Sequence, residues 1–78
     1  MVTPDSIKAS LESGLDCDIV EVAGDGHHFE ALVVSAAFRG LSRVARHRLV
    51  YGALGERMRE EIHALSMTTL TPEEQAAR

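Results

Sequence analysis

Two strand-like segments separated by a long helical stretch most limit how this chain can fold. "HHFEALVV" (27–34) and "HALSMTTL" (63–70) both alternate between two sets of side chains, as residues on the two faces of a strand do. Between them lie about thirty residues of mostly helical pattern, the kind of crossover that joins parallel neighbours. We therefore predict that these two strands pair in parallel.

A glycine turn adds a third strand. "CDIVEVA" (17–23) is rich in β-branched residues and is bounded by Asp16 and by "GDG" (24–26). The glycine pair permits a tight reversal, so this segment and 27–34 should form an antiparallel hairpin. The predicted sheet has three strands and is mixed.

Helix start signals flank this sheet. "TPDSIKASLESGL" opens with Thr3 as a cap and Pro4 at the first helical position, and Gly14 ends it. "TPEE" (71–74) repeats the signal, with Glu74 in the capping-box position. Each signal predicts a helix beginning at that point.

A longer helix should occupy the crossover. "SAAFRG" predicts a short helical turn ended by Gly40, and Ser42 can then cap a helix through about Glu61, bent or divided by its glycines. Residues that recur every three or four positions predict its core-facing stripe: Val44, His47, Tyr51, Leu54, Met58 and Ile62.

The resulting order, αββα(α)βα, predicts an α+β sandwich with a three-stranded mixed sheet and helices on one face. Seventy-eight residues suffice for one core, so we predict a single domain over 1–78. The composition is 45% hydrophobic and 26% charged, as in globular proteins. Neither a membrane span nor a signal peptide is recognisable, and the lone Cys17 suits a reducing compartment, so we expect a cytoplasmic protein without a membrane partner.

Histidines meet at one edge of the predicted sheet. Parallel neighbours begin at the same edge, so His28 and His63 should lie close together, with His27 beside them. Neutral imidazole is a good ligand for zinc, iron and copper. Histidines that only end strands would give the same pattern, and two or three imidazoles fall short of a closed four-ligand site. Cys17 should lie about 20 Å away along its strand and should not complete the set.

Four segments together resemble the BolA family, most closely its short bacterial, IbaG-like group. They are "VAGDGHHF" (22–29), "FRGLSRV" (38–44), "VYGAL" (50–54) and "IHALSMTTLTPEE" (62–74). The resemblance implies a fold related to the type II KH domain. It also implies a metal site in which His63 and His28 are ligands and His27, at a variable position, is the less favoured one.

The resemblance further implies a partner and a cofactor. The partner is a monothiol glutaredoxin of the CGFS type, and the cofactor is a 2Fe–2S cluster bridging the two proteins with glutathione, for use in cluster trafficking or in iron or redox regulation. No cofactor is expected for the isolated chain. No reaction is implied either, so we do not expect an enzyme.

An alternative function rests on a basic patch. Arg39, Arg43 and Arg46 should fall along one helical face, with Arg48 pointing away, and such a stripe could bind the phosphates of DNA or RNA. A solvated face, or a docking surface for an acidic or glutathione-bearing partner, would give the same pattern. "GALG" (52–55) matches the GxxG loop of KH domains, although its middle residues are uncharged. The net charge of −4 gives no general attraction to nucleic acid. A homodimerising module with an exposed strand edge is a third alternative.

Overall fold

The computed structural model describes residues 2–58 and 64–78. Its elements, in chain order, are helix α1 (Pro4–Gly14), strands β1 (Ile19–Gly24) and β2 (Phe29–Val34), a 3₁₀ turn (Ala36–Phe38), helix α2 (Arg43–Leu54), a second 3₁₀ turn (Gly55–Met58), strand β3 (Leu65–Leu70) and helix α3 (Pro72–Ala76). No helix among these residues is long and apolar enough to cross a bilayer. The predicted positions Ile62 and His63 lie outside the described residues.

The sheet has the predicted mixed topology. Its strand order is β1-β2-β3. β1 and β2 are antiparallel, with Ile19 opposite Val34, and β2 and β3 are parallel, with Phe29 opposite Leu65. The glycine turn joins antiparallel strands and the long crossover joins parallel ones, as predicted. The α+β fold is therefore confirmed.

One face of the sheet is buried against the helices. The inward side chains alternate along the strands and form one apolar cluster with α1 and α2: Ile7, Leu11, Val20, Phe29, Ala31, Val33, Phe38, Val50, Leu54 and Leu65. The outward positions between them include Glu21, Glu30, Ser66 and Thr68, which are exposed. The predicted alternation of β2 and β3 is thus confirmed.

Capping boxes start the first and last helices at the predicted residues. Thr3 Oγ1 accepts a hydrogen bond from the Ser6 amide at 3.1 Å, and the Thr3 amide donates to Ser6 Oγ at 2.9 Å. At α3 the Glu74 amide donates to Thr71 Oγ1 at 3.1 Å, and the Thr71 amide donates to Glu74 Oε1 at 2.7 Å. Both boxes satisfy amides that a helix start leaves without partners.

Helix α2 differs from the prediction in its buried face. It ends at Leu54, because Gly55 takes a positive φ of 68° that only glycine adopts readily, and a 3₁₀ turn follows. Gly55 thus divides the predicted helix, and the predicted end near Glu61 lies outside the described residues. The predicted stripe is wrong at Val44, which is 60% exposed, whereas Val50 and Leu54 are buried. The inward position of the first turn is taken instead by Arg46.

Arg46 connects α2 to three other parts of the chain, although its side chain is only 14% exposed. Its Nε donates to the Leu41 carbonyl and its Nη1 to the Thr69 carbonyl, both at 3.1 Å. Nη1 also donates to Glu74 Oε1 at 2.6 Å, and the guanidinium lies 5.9 Å from the centre of the Phe38 ring. The loop before α2, the end of β3 and the first turn of α3 are thereby joined through one side chain.

We expect Arg46→Ala to lower the free energy of unfolding by about 2 kcal/mol, because hydrogen bonds to a charged group are lost and carbonyls are left without a donor. Urea unfolding measures the loss. Arg39→Ala is the control, since the Arg39–Glu73 ion pair is well exposed at both ends and should contribute less. Equal losses in the two variants would contradict the linking role of Arg46.

The same contact should make stability depend on pH. The Arg46 side chain, and next the Thr71 amide, lower the pKa of Glu74 from 4.5 to about 2. A carboxyl whose pKa is lowered by folding stabilises the fold above its unfolded pKa, and that stabilisation is lost as the pH falls through the folded value. The unfolding midpoint of Glu74→Gln should therefore change less between pH 4.5 and pH 2 than that of the unaltered chain.

Candidate functional site

The turn between β1 and β2 is built around Asp25. Its Oδ1 accepts hydrogen bonds from the amides of His27 at 2.9 Å and His28 at 2.8 Å. The Asp25 amide donates to the His28 carbonyl at 3.2 Å, and Gly26 reverses the chain with a φ of 94°. The amides of His27 and then His28 hold the pKa of Asp25 below its ordinary value. An ionised aspartate thus fixes the backbone of both histidines.

Gly24 permits this turn to close. A Cβ at position 24 would lie 2.5 Å from the His28 carbonyl oxygen and 2.5 Å from Cδ1 of Phe29. Real side chains do not approach so closely, so any other residue here would push β2 and the histidines away. The first glycine of "GDG" is therefore required by close approach, whereas Gly26 is required by its backbone angle.

His28 is directed toward the neighbouring parallel strand. It immediately precedes β2, is exposed, and its Nε2 lies 3.4 Å from Oγ of Ser66 on β3. His27 is exposed in the turn itself. His63, the other predicted ligand, lies outside the described residues, and along the chain it stands two positions before Leu65, where β3 begins. The proximity of His28 and His63 stays a prediction.

The described residues alone do not make a metal site of three or more ligands. No group of three or more histidine, cysteine, aspartate or glutamate side chains is arranged to hold a metal ion within 2–58 and 64–78. Cys17 lies before β1, at the end of the strand opposite Gly24, and is partly buried. Burial, and next the charge of Asp16, raise the pKa of its thiol, which disfavours the thiolate form.

The predicted arginine stripe is divided between different environments. Arg39 follows the first 3₁₀ turn and is not part of α2, and its Nε donates to Glu73 Oε1 at 2.9 Å. Arg46 faces inward, as described above, and Arg43 is exposed in the first turn of α2. "GALG" is not an open loop between helices either, because α2 continues to Leu54 and Leu54 is part of the core.

Several contacts in and around the site were not predicted from the sequence. The role of Asp25 could have been found, because aspartate in a glycine turn commonly accepts amides two or three residues ahead. The pairing of Arg39 and Arg46 with α3 had no local signal. His47 is partly buried, and its Nε2 has no hydrogen-bond partner among the described residues. Burial, followed by the charge of Arg43, lowers its pKa.

The structure thus defines a small α+β domain with a mixed sheet that carries adjacent histidines where its central strand begins. The chain belongs to the BolA family: the family model described as BolA-like protein matches residues 2–74. A solved structure of a bolA protein homologue from Coxiella burnetii is 51% identical and superposes with a TM-score of 0.85, covering 97% of this chain and 99% of that one.

Curated relatives have several names. The chain is 41% identical over 71 residues to the acid stress protein IbaG of Escherichia coli, covering 90% of this chain and 84% of the relative. It is 40% identical over 55 residues to the DNA-binding transcriptional regulator BolA of Haemophilus influenzae, covering 70% and 53%. BolA-like protein 1 of mouse is 38% identical over 77 residues, which cover 86% of this chain, and the chain spans only 56% of that relative's length.

We expect Asp25→Ala to release the backbone of the two histidines, because both amides lose their acceptor. Hydrogen exchange followed by NMR should show faster exchange at the amides of His27 and His28. Asp25→Asn is the matched control, since it keeps an Oδ1 acceptor without the charge and should retain most of the protection. If Asp25→Ala exchanged no faster at these amides, the anchoring role of Asp25 would be wrong.

Proposed function

We propose that this chain is an iron–sulfur adaptor that shares a bridging 2Fe–2S cluster with a monothiol glutaredoxin, and that His63 and His28 ligate the iron on its side. The observation that carries the proposal is the position of His28. Its ring lies exposed beside β3, the strand that follows His63 along the chain. The role itself comes from the resemblance to the BolA family, to which the chain belongs.

The donor chemistry supports a shared cluster. Two imidazoles satisfy half of the ligands that a bridging 2Fe–2S cluster needs, and the described residues offer no thiolate near the turn. The glutaredoxin cysteine and glutathione would supply the other half. Imidazole in place of thiolate on one iron raises the reduction potential of such clusters. That chemistry fits a regulatory or transfer role, and the proposal assigns the chain no catalysed reaction.

The turn would contribute by holding its ligand before the partner arrives. Asp25 fixes the amides of His27 and His28, and Gly24 lets the hairpin close against the His28 carbonyl. A ligand on a fixed backbone loses less conformational freedom on binding than one on a loose loop. The exposed ring of His28 is accessible to a cluster carried by another protein.

The sheet register makes the choice between His27 and His28 experimentally important. Phe29 pairs with Leu65, an offset of 36 residues. His27 and His63 have this same offset, whereas His28 and His63 differ from it by one residue. The resemblance favours His28, and variants of both histidines test the assignment.

The ligand assignment predicts a ranking of variants. After co-expression with a monothiol glutaredoxin and purification with glutathione, His63→Ala and His28→Ala should alter the visible absorption and circular dichroism of the heterocomplex, because each removes an iron ligand. His27→Ala should change the spectra less.

His47→Gln is the matched control, since His47 lies on α2, and it should leave the spectra unchanged. An unchanged spectrum for His63→Ala would show that the ligand set is wrong. A larger effect of His27→Ala than of His28→Ala would move the second ligand to His27. No cluster spectrum with any monothiol glutaredoxin would contradict the adaptor role itself and favour a dimerising module without cofactor.

A second candidate function is nucleic-acid binding, which the name of the Haemophilus influenzae relative favours. In this chain the contact would depend mainly on Arg43. Arg46 is committed to the fold, and Arg39 is paired with Glu73, which weakens the attraction of either for phosphate. The net charge of −4 also opposes the approach of DNA.

An electrophoretic shift assay with duplex DNA at two salt concentrations tests this candidate. Phosphate contacts release counterions, so binding should weaken as salt rises, and Arg43→Glu should weaken it further. Arg48→Glu is the charge-matched control, because Arg48 is exposed and was predicted to point away from the stripe. Equal effects of the two variants, or binding that is insensitive to salt, would rule out an Arg43 phosphate contact.

A further inference from the structure

No element in the described part of the chain covers the middle of the outer face of the sheet. We call it the acidic sheet face and define it by six outward residues: Glu21, Ala23, Glu30, Leu32, Ser66 and Thr68. Five of these are exposed and Leu32 is partly exposed. They line a shallow groove of about 460 Å³ that crosses all three strands.

The charges on this face are unbalanced. Ala23 pairs with Glu30 and Glu21 with Leu32, so the two glutamates are diagonal neighbours on adjacent strands, within reach of each other. Like charges so placed repel, and neither glutamate has an ion pair with a residue in 2–58 or 64–78. A cationic group brought by another molecule would relieve this repulsion.

The face is also asymmetric and partly apolar. Leu32 and Ala23 lie between the glutamates, while β3 contributes only the uncharged hydroxyls of Ser66 and Thr68. The outer strands of a three-stranded sheet are about 10 Å apart, close to the diameter of a helix with its side chains. The surface thus has the width of one helix, with an apolar diagonal of Ala23 and Leu32 that is flanked by one glutamate on each side.

We propose that the acidic sheet face docks an amphipathic helix of a partner protein, with its apolar stripe over Leu32 and Ala23 and lysine or arginine side chains toward Glu21 and Glu30. Phosphate-bearing partners are excluded from this surface by the same carboxylates, which would repel them. The proposal does not depend on a cluster or on glutaredoxin, and the isolated chain is sufficient to test it.

The test uses two synthetic 18-residue peptides, one of leucine and lysine patterned as an amphipathic helix and one with glutamate in place of lysine. Added to the isotope-labelled chain, the lysine peptide should shift the NMR amide signals of Glu21, Glu30, Leu32, Ser66 and Thr68, and the glutamate peptide should not. The shifts should weaken at higher salt, because exposed ion pairs are screened.

Matched variants separate this surface from general attraction to an acidic protein. Glu21→Gln with Glu30→Gln should weaken binding of the lysine peptide about fivefold, as expected for the loss of two exposed ion pairs. Glu12→Gln with Asp16→Asn removes the same charge from exposed positions in α1 and the following loop, and should change affinity less than twofold.

Three results would overturn the proposal. Equal weakening in the two double variants would show attraction to net charge alone. Shifts confined to α2 or to the histidine turn would place the helix elsewhere. Sedimentation would also detect self-association of the chain. Self-association that is changed by Glu21→Gln with Glu30→Gln would make a second copy the occupant. The comparison of the two peptides uses the unaltered chain, so it decides the question even if a variant folds poorly.

Discussion

The parallel pairing of β2 with β3 is the constraint on which the rest of the structure depends. It requires a long crossover, and α2 occupies that crossover and covers the inner face of the sheet. It also determines which residues meet at the edge where both strands begin. Because Phe29 is opposite Leu65, the glycine turn and the start of β3 lie at the same end of the sheet, although they are far apart in sequence.

A second set of contacts secures the opposite end. Arg46 bonds to carbonyls before α2 and at the end of β3, and to a carboxylate in α3. Glu74 accepts from both Arg46 and the Thr71 amide, so one carboxylate starts a helix and also fixes it to the core. The turn that carries His28 and these ion pairs thus lie at different ends of the sheet, so that variants at one end can be interpreted separately from variants at the other.

Local patterns predicted most of the fold. Strand alternation, turn glycines and capping residues act over two to four positions, and the starts at Thr3, Ser42 and Thr71 were therefore found correctly. The buried face of α2 was wrong at Val44, because Arg46 takes the inward position through partners that are distant in sequence. The position of His27 and His28 immediately before a strand was also predictable from the sequence. The hydrogen bonds of Asp25 are local and follow a known turn pattern, so the sequence contained that information. The ion pairs of Arg39 and Arg46 join residues that are distant in sequence, and only the three-dimensional contacts reveal them.

The short length of α3 has a consequence for how this end of the domain behaves. A helix of five residues has almost no stability of its own, since it is shorter than the length at which helix propagation outweighs nucleation. Its persistence therefore depends on its capping box and on the arginines that bind its first turn. α3, the end of β3 and the first turn of α2 should open and close as one cooperative unit, so that loosening any of them exposes cationic side chains that the folded domain keeps neutralised.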